Sequence, residues 1–362
     1  MRTEMTRRVL RISGTSLLIV VVLVSTVWAN LAILYQLPGS PAIRIGACLV
    51  FDVVALGAVT GLALRRYRRA VLVYAAVYAT LLVWWASIHP SNDKDWAAAV
   101  AHGVTGSVNG DRLTVENVRN FSWDSETDFV ERWEQRTYDL SKLRSLDLYL
   151  VYWMGPAIAH TIMSFGFQDG RYLDFSIEVR RTRNDEYSAI AGLFKANELV
   201  YIGADERDLL TLRKARHEDV RLYRLGTPPE RVRALLVQYI DEANDLAAHP
   251  RFYNTLTTNC TTTIFDMSRA VTSSIPFDWR IILTGYLPGY LYERGTVDTS
   301  IPLKELSRRA DVNGRIDAGL TGVVFSSFIR DGVPGPPDSL AGSASGGHGK
   351  LPSLAPASFP NR

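Results

Sequence analysis

"LDLYLVYWMGPAIAHTIMSFGFQDGRYLDFSIEVRR", residues 146–181, decides what kind of domain this chain builds. Up to Phe167 it is nearly apolar enough for a membrane helix, but Asp147, Gly155, Pro156 and His160 interrupt the roughly 20 apolar residues a span needs. The β-branched and aromatic residues on either side of Gly155 and Pro156 instead predict two strands, Leu146–Trp153 and Ile158–Phe167. Asp169 and Gly170 then supply the strongest short-range hairpin signal, with "RYLDFSIEVRR" as the returning arm. A β-hairpin carrying His160 near the start of its first arm is the expectation.

Further strands are expected at Leu199–Ile202 and Val220–Leu225. Between them "ADERDLLTLRKA" predicts a helix with Asp205 as N-cap and Asp208 at the third helical position, a carboxylate variant of the capping box. "TPPERVRALLVQYIDEANDLAA" opens on prolines suited to a first turn and places Val232, Leu235, Leu236, Tyr239 and Ile240 at helical spacing. From about Gly332 the chain is dense in Gly, Pro, Ser and Ala without period, the composition of a disordered tail.

Ahead of this domain lie three apolar runs, Thr15–Tyr35, Ile43–Leu64 and Ala70–Ile88, each near the length of a bilayer span. A cleaved signal peptide is the alternative for the first, but its apolar stretch is too long and "VSTVWAN" is a poor cleavage site. Arg7, Arg8 and Arg11 flank the first run and "RRYRR" (Arg65–Arg69) joins the second to the third, so the N-terminus is expected inside and everything after Ile88 outside. Trp28, Trp84 and Trp85 then fall near the outer interface. Asp52, within the second run, is either a functional carboxylate or a side chain hydrogen-bonded to Asn30 or another helix. The expected organisation is a membrane anchor over 1–90, a linker over 91–118, an extracytoplasmic domain over 119–331 and a disordered tail over 332–362.

A net charge of +3 with scattered arginines gives no basis for nucleic-acid binding. Of the two cysteines, Cys48 falls inside a membrane run, leaving Cys260 without an intrachain partner where disulfides ordinarily form. A packed inert thiol and an intermolecular disulfide are the bland explanations, and a nucleophile is the sharp one. Thr258 or Asn259 can cap a helix beginning at Cys260, which would set the sulfur at a helix N-terminus, where its pKa falls and backbone N–H groups could hold an oxyanion. A thiol nucleophile needs a base. His89 abuts a membrane end, His102 is in a polar stretch, His217 is in a charged turn, His249 precedes a proline and His348 is in the tail. His160 alone sits on a strand among apolar residues, a setting equally that of a core histidine. No His or Cys group has zinc-like spacing, so neither a metal nor another cofactor is expected.

"HTIMSFGFQDGRYLDFSIEVRR", "GLFKANELVYIGADERD", "FYNTLTTNCTT" and "ILTGYLPGYLYERG", in this order and at these separations, resemble the Lnb N-terminal periplasmic domain family over roughly Arg119–Thr296. That family is similar to circularly permuted papain-like thiol enzymes of the broad NlpC and lecithin:retinol acyltransferase kind, in which histidine precedes cysteine. The resemblance implies Cys260 in "TNC" as nucleophile and His160 in "HT" as base. In the member that gives the family its name, the domain belongs to a membrane enzyme that moves an acyl chain within a bacterial lipoprotein. That enzyme carries more membrane helices, placed after the domain, whereas here three precede it.

A third member that orients His160 depends on the hairpin loop. With Asp169 and Gly170 as a two-residue loop, His160 opposes Val179; a three-residue loop or bulge brings Glu178 opposite instead. Glu178 and Ser176 are the candidates, and a dyad without a third member is the alternative. Asn259 and Asn254 are candidate oxyanion or site-support residues, Asn259 equally a simple helix cap. Arg180 and Arg181 could meet lipid phosphate or be solvated, and "GYLPGYLYERG" could wall an acyl chain or be a packed loop. Together these features predict an α+β protein: three transmembrane helices, then a permuted papain-like domain whose antiparallel sheet packs on a Cys-bearing helix. The expected activity is acyl transfer or hydrolysis on a membrane lipid or lipoprotein, with cell-wall peptide amidase action or a non-catalytic binding module as alternatives.

Overall fold

The computed structural model describes residues 2–335 apart from 65–66, 184, 186–187, 273–274 and 318. The expected disordered tail therefore lies almost wholly outside the described residues, as do the first two arginines of the basic run at 65–69.

Three helices come first: α1 (Arg2–Gln36), α2 (Pro41–Ala63) and α3 (Tyr67–Ala86). Each contains a segment long and apolar enough to cross a membrane, Ser13–Gln36, Pro41–Ala63 and Arg68–Ala86. They bury a narrow stripe against one another, including Val22, Ala29, Cys48, Phe51, Ala58 and Tyr74, and leave Leu17, Val24, Val53 and Leu72 outward. This arrangement suits a lipid surround, where large apolar side chains gain nothing by hiding from their solvent. Asp52 accepts a 2.7 Å hydrogen bond from Asn30, matching the bland reading of that carboxylate.

The domain is mixed α+β. Its strands are β1 (Thr105–Asn109), β2 (Arg112–Arg119), β3 (Ser122–Trp123), β4 (Phe129–Val130), β5 (Trp133–Asp139), β6 (Leu143–Tyr152), β7 (Ala159–Phe167), β8 (Tyr172–Arg180), β9 (Glu198–Ala204) and β10 (Asp219–Leu225). Helix α4 (Glu206–Ala215) lies between the last two; α5 (Pro229–Ala248), α6 (Cys260–Val271), α7 (Leu287–Glu293), α8 (Leu303–Arg309) and α9 (Gly322–Ile329) follow. The main sheet runs β1-β2-β9-β8-β7-β6-β10 with β5 also on β2, antiparallel except where Arg119 of β2 meets Ala204 of β9. β3 and β4 form a separate ribbon.

Two expectations need correction. Residues 91–118 are no linker: β1 and β2 form a hairpin of the main sheet, and Leu113, Val115 and Val118 are fully buried. Their apolar residues are few and separated by polar ones, which is how a half-buried strand looks in sequence. Asp208 does not complete a capping box. Asp205 caps α4 by accepting from Arg207 N, while Asp208 is buried against Arg119 and accepts from Phe121 N and Trp123 Nε1.

Odd-numbered residues of β7 and β8, such as Met163, Phe165, Phe175 and Ile177, point into the core under α5, with Ile264 and Met267 of α6. The other face takes Ile162, Val200 and Ile202 together with Leu209 and Leu210 of α4 and Phe325 and Ile329 of α9. That second face also buries carboxylates: Asp147, Asp174 and Glu206. Arg330, just after α9, reaches Asp147 at 2.8 Å and Glu206 at 2.6 Å. Burial and the charge of Glu206 push the Asp174 carboxyl well above the usual range.

The hairpin loop settles the register. Ile162 pairs with Ser176 and Gly166 with Tyr172, Phe167 N donates to Arg171 O, and Gly170 takes φ +80 in a three-residue loop. Glycine is the residue that reaches this left-handed conformation without strain. Continued two residues further, the register sets His160 opposite Glu178.

Candidate active site

Helix α6 begins at Cys260 because Asn259 caps it. Asn259 Oδ1 accepts from Thr261 N and Thr262 N at 3.0 Å each, and Thr262 Oγ1 accepts from Asn259 N in return, a complete capping box. The thiol thus sits on the first helical residue, at the positive end of the helix dipole. Asn259 Nδ2 donates to Thr255 O at 2.9 Å, and Asn254 Oδ1 accepts from Leu256 N and Thr257 N. Asn259 is engaged at both ends of its amide as the helix cap and Asn254 holds a turn, so both support the loop that delivers Cys260.

Helix α6 meets the sheet where two strands part. The β7–β8 ladder ends at Ile162–Ser176, although β6 follows β7 to Ala159 and β9 follows β8 to Arg180. Into this opening come the Cys260 sulfur, within reach of the Thr161 backbone N–H, and Thr261, whose hydroxyl is 3.3 Å from that of Thr161. His160 comes from the neighbouring position on β7, and its ring is a hydrogen-bonding neighbour of the thiol.

The ring is held from behind. His160 Nε2 is 2.7 Å from Ser176 Oγ and 3.3 Å from Glu178 Oε1, while Ser176 donates its hydroxyl proton to Glu178 at 2.6 Å. Because that single proton goes to the carboxylate, Ser176 Oγ accepts from Nε2–H. This commits the Nε2 proton to Ser176. Both candidates for the third position are therefore present, Ser176 between the other two.

Arg213 of α4 pairs with Glu178 and, at 3.6 Å, with Glu218. Burial pushes the Glu178 carboxyl up, but the charges of Arg213 and His160 hold it well below the carboxylate range. Burial lowers the His160 imidazole, and the charges of Glu178 and Cys260 more than reverse this, raising it from 6.5 to about 9. Burial raises the Cys260 thiol, and the charge and hydrogen bond of His160 outweigh it, lowering it from 9.0 to about 7. Between those two values the favoured form is thiolate with imidazolium.

Two supports escape sequence reasoning. Arg213 looks like any solvated cation in a last helical turn, and no local signal marks it. Thr284 clamps the strand just before His160, accepting from Ala159 N at 2.9 Å and donating to Ala159 O at 2.5 Å. Gly285 N donates to Ala157 O, and Gly285 lies so close to Pro156 O that a Cβ would collide with it. The "GYLPGYLYERG" stretch is mostly packed: Tyr290 is buried with its hydroxyl on Pro276 O, and Tyr292 bonds Ile301 O.

The pair opens onto a cleft of about 1080 Å³. Trp153, Met154, Ile158, Ile282 and Tyr286 give it an apolar side; Arg181, Arg216, His217 and Glu218 give it a polar one. Arg180, in contrast, is buried, stacked on Trp96 and bonded to Val100 O, Ala101 O and Asn92, so it is neither a solvated nor a phosphate-facing arginine. His102 packs edge-on to Trp133, and His249 pairs with Asp245 at a helix end. Among the described residues, no three His, Cys, Asp or Glu side chains are grouped to hold a metal.

The family model described as the Lnb N-terminal periplasmic domain matches residues 129–285, the family whose motifs the sequence resembles. No curated protein and no solved structure matches the chain. Three membrane-length apolar helices ahead of a periplasmic-family domain make this a membrane-anchored protein with an extracytoplasmic domain.

Proposed function

We propose that this protein is a multi-pass enzyme of the bacterial inner membrane that transfers or hydrolyses an acyl group of a membrane lipid or lipoprotein through Cys260, His160 and Glu178. The observation that carries this reading is the thiol at the capped start of α6, with pKa lowered to about 7 beside an imidazole raised to about 9. The order of histidine strand, hairpin and later cysteine helix supports the resemblance to circularly permuted papain-like enzymes.

The Cys260 thiolate attacks the ester or amide carbonyl carbon, forming the S–C bond as the carbonyl electrons move to oxygen. The Cys260 backbone N–H, left free by a cap that takes Thr261 and Thr262, faces the oxyanion together with the helix dipole. Collapse of the tetrahedral adduct breaks the bond to the leaving group, which takes the proton from the His160 imidazolium. The neutral ring then removes a proton from water or an acceptor nucleophile as it attacks the thioester, and collapse of the second adduct breaks the S–C bond and restores thiolate and imidazolium. Ser176 and Glu178 hold the ring at Nε2 throughout, with Arg213 keeping Glu178 ionised. The apolar side of the cleft suits an acyl chain.

The test is intact mass spectrometry of the full chain from membranes. An acyl adduct on Cys260 that is released by hydroxylamine and absent in His160→Ala supports the reading. Absence of any adduct, with full rescue of a deletion strain by Cys260→Ser, sinks it. Rescue lost with Cys260→Ser but accompanied by altered cell-wall peptides, and unaltered lipoprotein acylation, points instead to an amidase.

A further inference from the structure

The domain is locked to its anchor by two consecutive residues. The buried Phe194 ring stacks on Tyr35 with centroids 5.8 Å apart and touches Trp28 and Trp85 at 6.4 and 6.2 Å. Its carbonyl accepts from Gln36 Nε2, at the end of α1, at 2.7 Å. Lys195, at φ +54, donates to Trp85 O in the last turn of α3 and to Ile88 O just beyond it, at 2.8 and 3.1 Å. A cation on those carbonyls answers the negative helix end. Both contacts fall where α1 and α3 leave the membrane, the depth at which Trp and Tyr gather.

The same loop carries exposed apolar side chains. Ile190, Leu193 and Leu256 are 53%, 36% and 64% exposed. Leu193 directly precedes the locked Phe194, so it lies within one Cα step, about 3.8 Å, of the anchor contact. Leu256 joins the same patch because its turn is knitted to the loop: Thr255 Oγ1 donates to Ala189 O at 2.8 Å, and Gly192 lies directly against Thr255 Oγ1.

We propose that the loop 188–195 and the turn 254–258 form a lip seated in the outer leaflet of the bilayer beside the anchor, with Ile190, Leu193 and Leu256 as its lipid contacts. Continuity with the helix interface identifies the occupant as bilayer lipid. Three bulky apolar residues at the exit level of two membrane helices meet the headgroup and upper acyl region before they meet water. The lip also borders the cleft, since Ala189 and Thr255 line it, and Asn259 Nδ2 bonds Thr255 O on the way to Cys260. The cleft mouth thus opens at the leaflet surface. This docking requires no chemistry at Cys260 and goes beyond the proposed activity.

The experiment uses the full chain in lipid nanodiscs, with Cys48→Ala and Cys260→Ser removing native thiols, and a fluorophore on Leu256→Cys or, separately, Ile190→Cys. Quenching is compared between a lipid carrying a nitroxide near its headgroup and aqueous iodide. A lip in the leaflet gives roughly halved fluorescence with nitroxide lipid and little response to iodide at both positions. Iodide quenching without nitroxide quenching means the patch faces water and overturns the proposal. Protection from both quenchers means that protein covers the patch, a second copy of the chain included, and overturns it equally. None of these readouts depends on whether Cys260 is catalytic.

Discussion

His160 Nε2 lies 3.3 Å from Glu178 Oε1, and the hydroxyl of Ser176 touches both. The proton on that nitrogen is thereby committed. One carboxylate, itself held ionised by Arg213, sets the charge state of the histidine and through it that of the cysteine.

Cys260→Ser and His160→Ala should each reduce turnover about a thousandfold or more, because a serine is poorly activated by a ring tuned for a thiol and a thiol loses its proton acceptor without the ring. Cys260 is half-buried at a helix start, so Cys260→Ser should leave the melting temperature close to wild type. Thioester trapping and thermal unfolding on the same preparations check both halves.

The rate should follow a bell in pH. The thiol must be ionised, which places the acid limb near its value of about 7, and the imidazole must be protonated to release the leaving group, which places the alkaline limb near about 9. Glu178→Gln removes the negative charge that raises the ring, so the alkaline limb should move to lower pH. A profile of kcat/KM for both proteins measures this; a merely structural Glu178 would lower the rate without moving the limb.

Arg213→Met leaves Glu178 and Glu218 without their shared cation. The loss should be about 2 kcal/mol in urea unfolding, less than for a fully enclosed pair because Glu178 keeps 22% of its side chain exposed. The Glu178 carboxyl should rise towards the ordinary range yet stay ionised, and because Arg213 also acts on the Cys260 thiolate, the acid limb of the pH–rate bell should move to higher pH.

Gly285→Ala forces a methyl against Pro156 O and must displace the strand that carries His160. Overpacking of this kind costs about 2 kcal/mol. The variant should lose more activity than its lowered melting temperature explains, whereas Gly295→Ala, at a glycine with open space around it, should lose stability through its positive φ alone and keep its turnover.

A reporter fused after Asn92 should be active outside the cytoplasm, since basic flanks hold the N-terminus inside and three spans follow. Activity only in the cytoplasmic orientation would remove the compartment from which the free thiol draws its meaning.

The parts of the site legible in sequence are those with local causes. Asn259 before an apolar helical pattern announces the start of α6, and the aromatic and β-branched runs around Gly155 and Pro156 announce β6 and β7. The register was open because Asp169 and Gly170 fit a two-residue loop as well as the last positions of a three-residue one, and a single residue decides whether Val179 or Glu178 meets His160. Arg213, Thr284 and the Arg119–Asp208 pair act across long sequence separations with ordinary local patterns. Asp208 misleads because a carboxylate at the third helical position has the same local appearance whether it caps its own helix or binds a distant arginine. The hairpin β1–β2 escaped because half-buried strands with few apolar residues resemble polar connections.

The ion group around Arg330 has a bearing on how the chain can be made. Asp147 and Glu206 lie on one face of the sheet and at the start of α4, and their shared cation is encoded more than a hundred residues after Glu206. During synthesis and export from the N-terminus, the acids cross the membrane first and cannot be enclosed while they repel one another. That face has to stay wet and open until residue 330 has emerged, so docking of α9 is the closing event of maturation, and a nascent chain halted short of it would present an acidic, unsealed sheet to the quality-control proteases of its compartment.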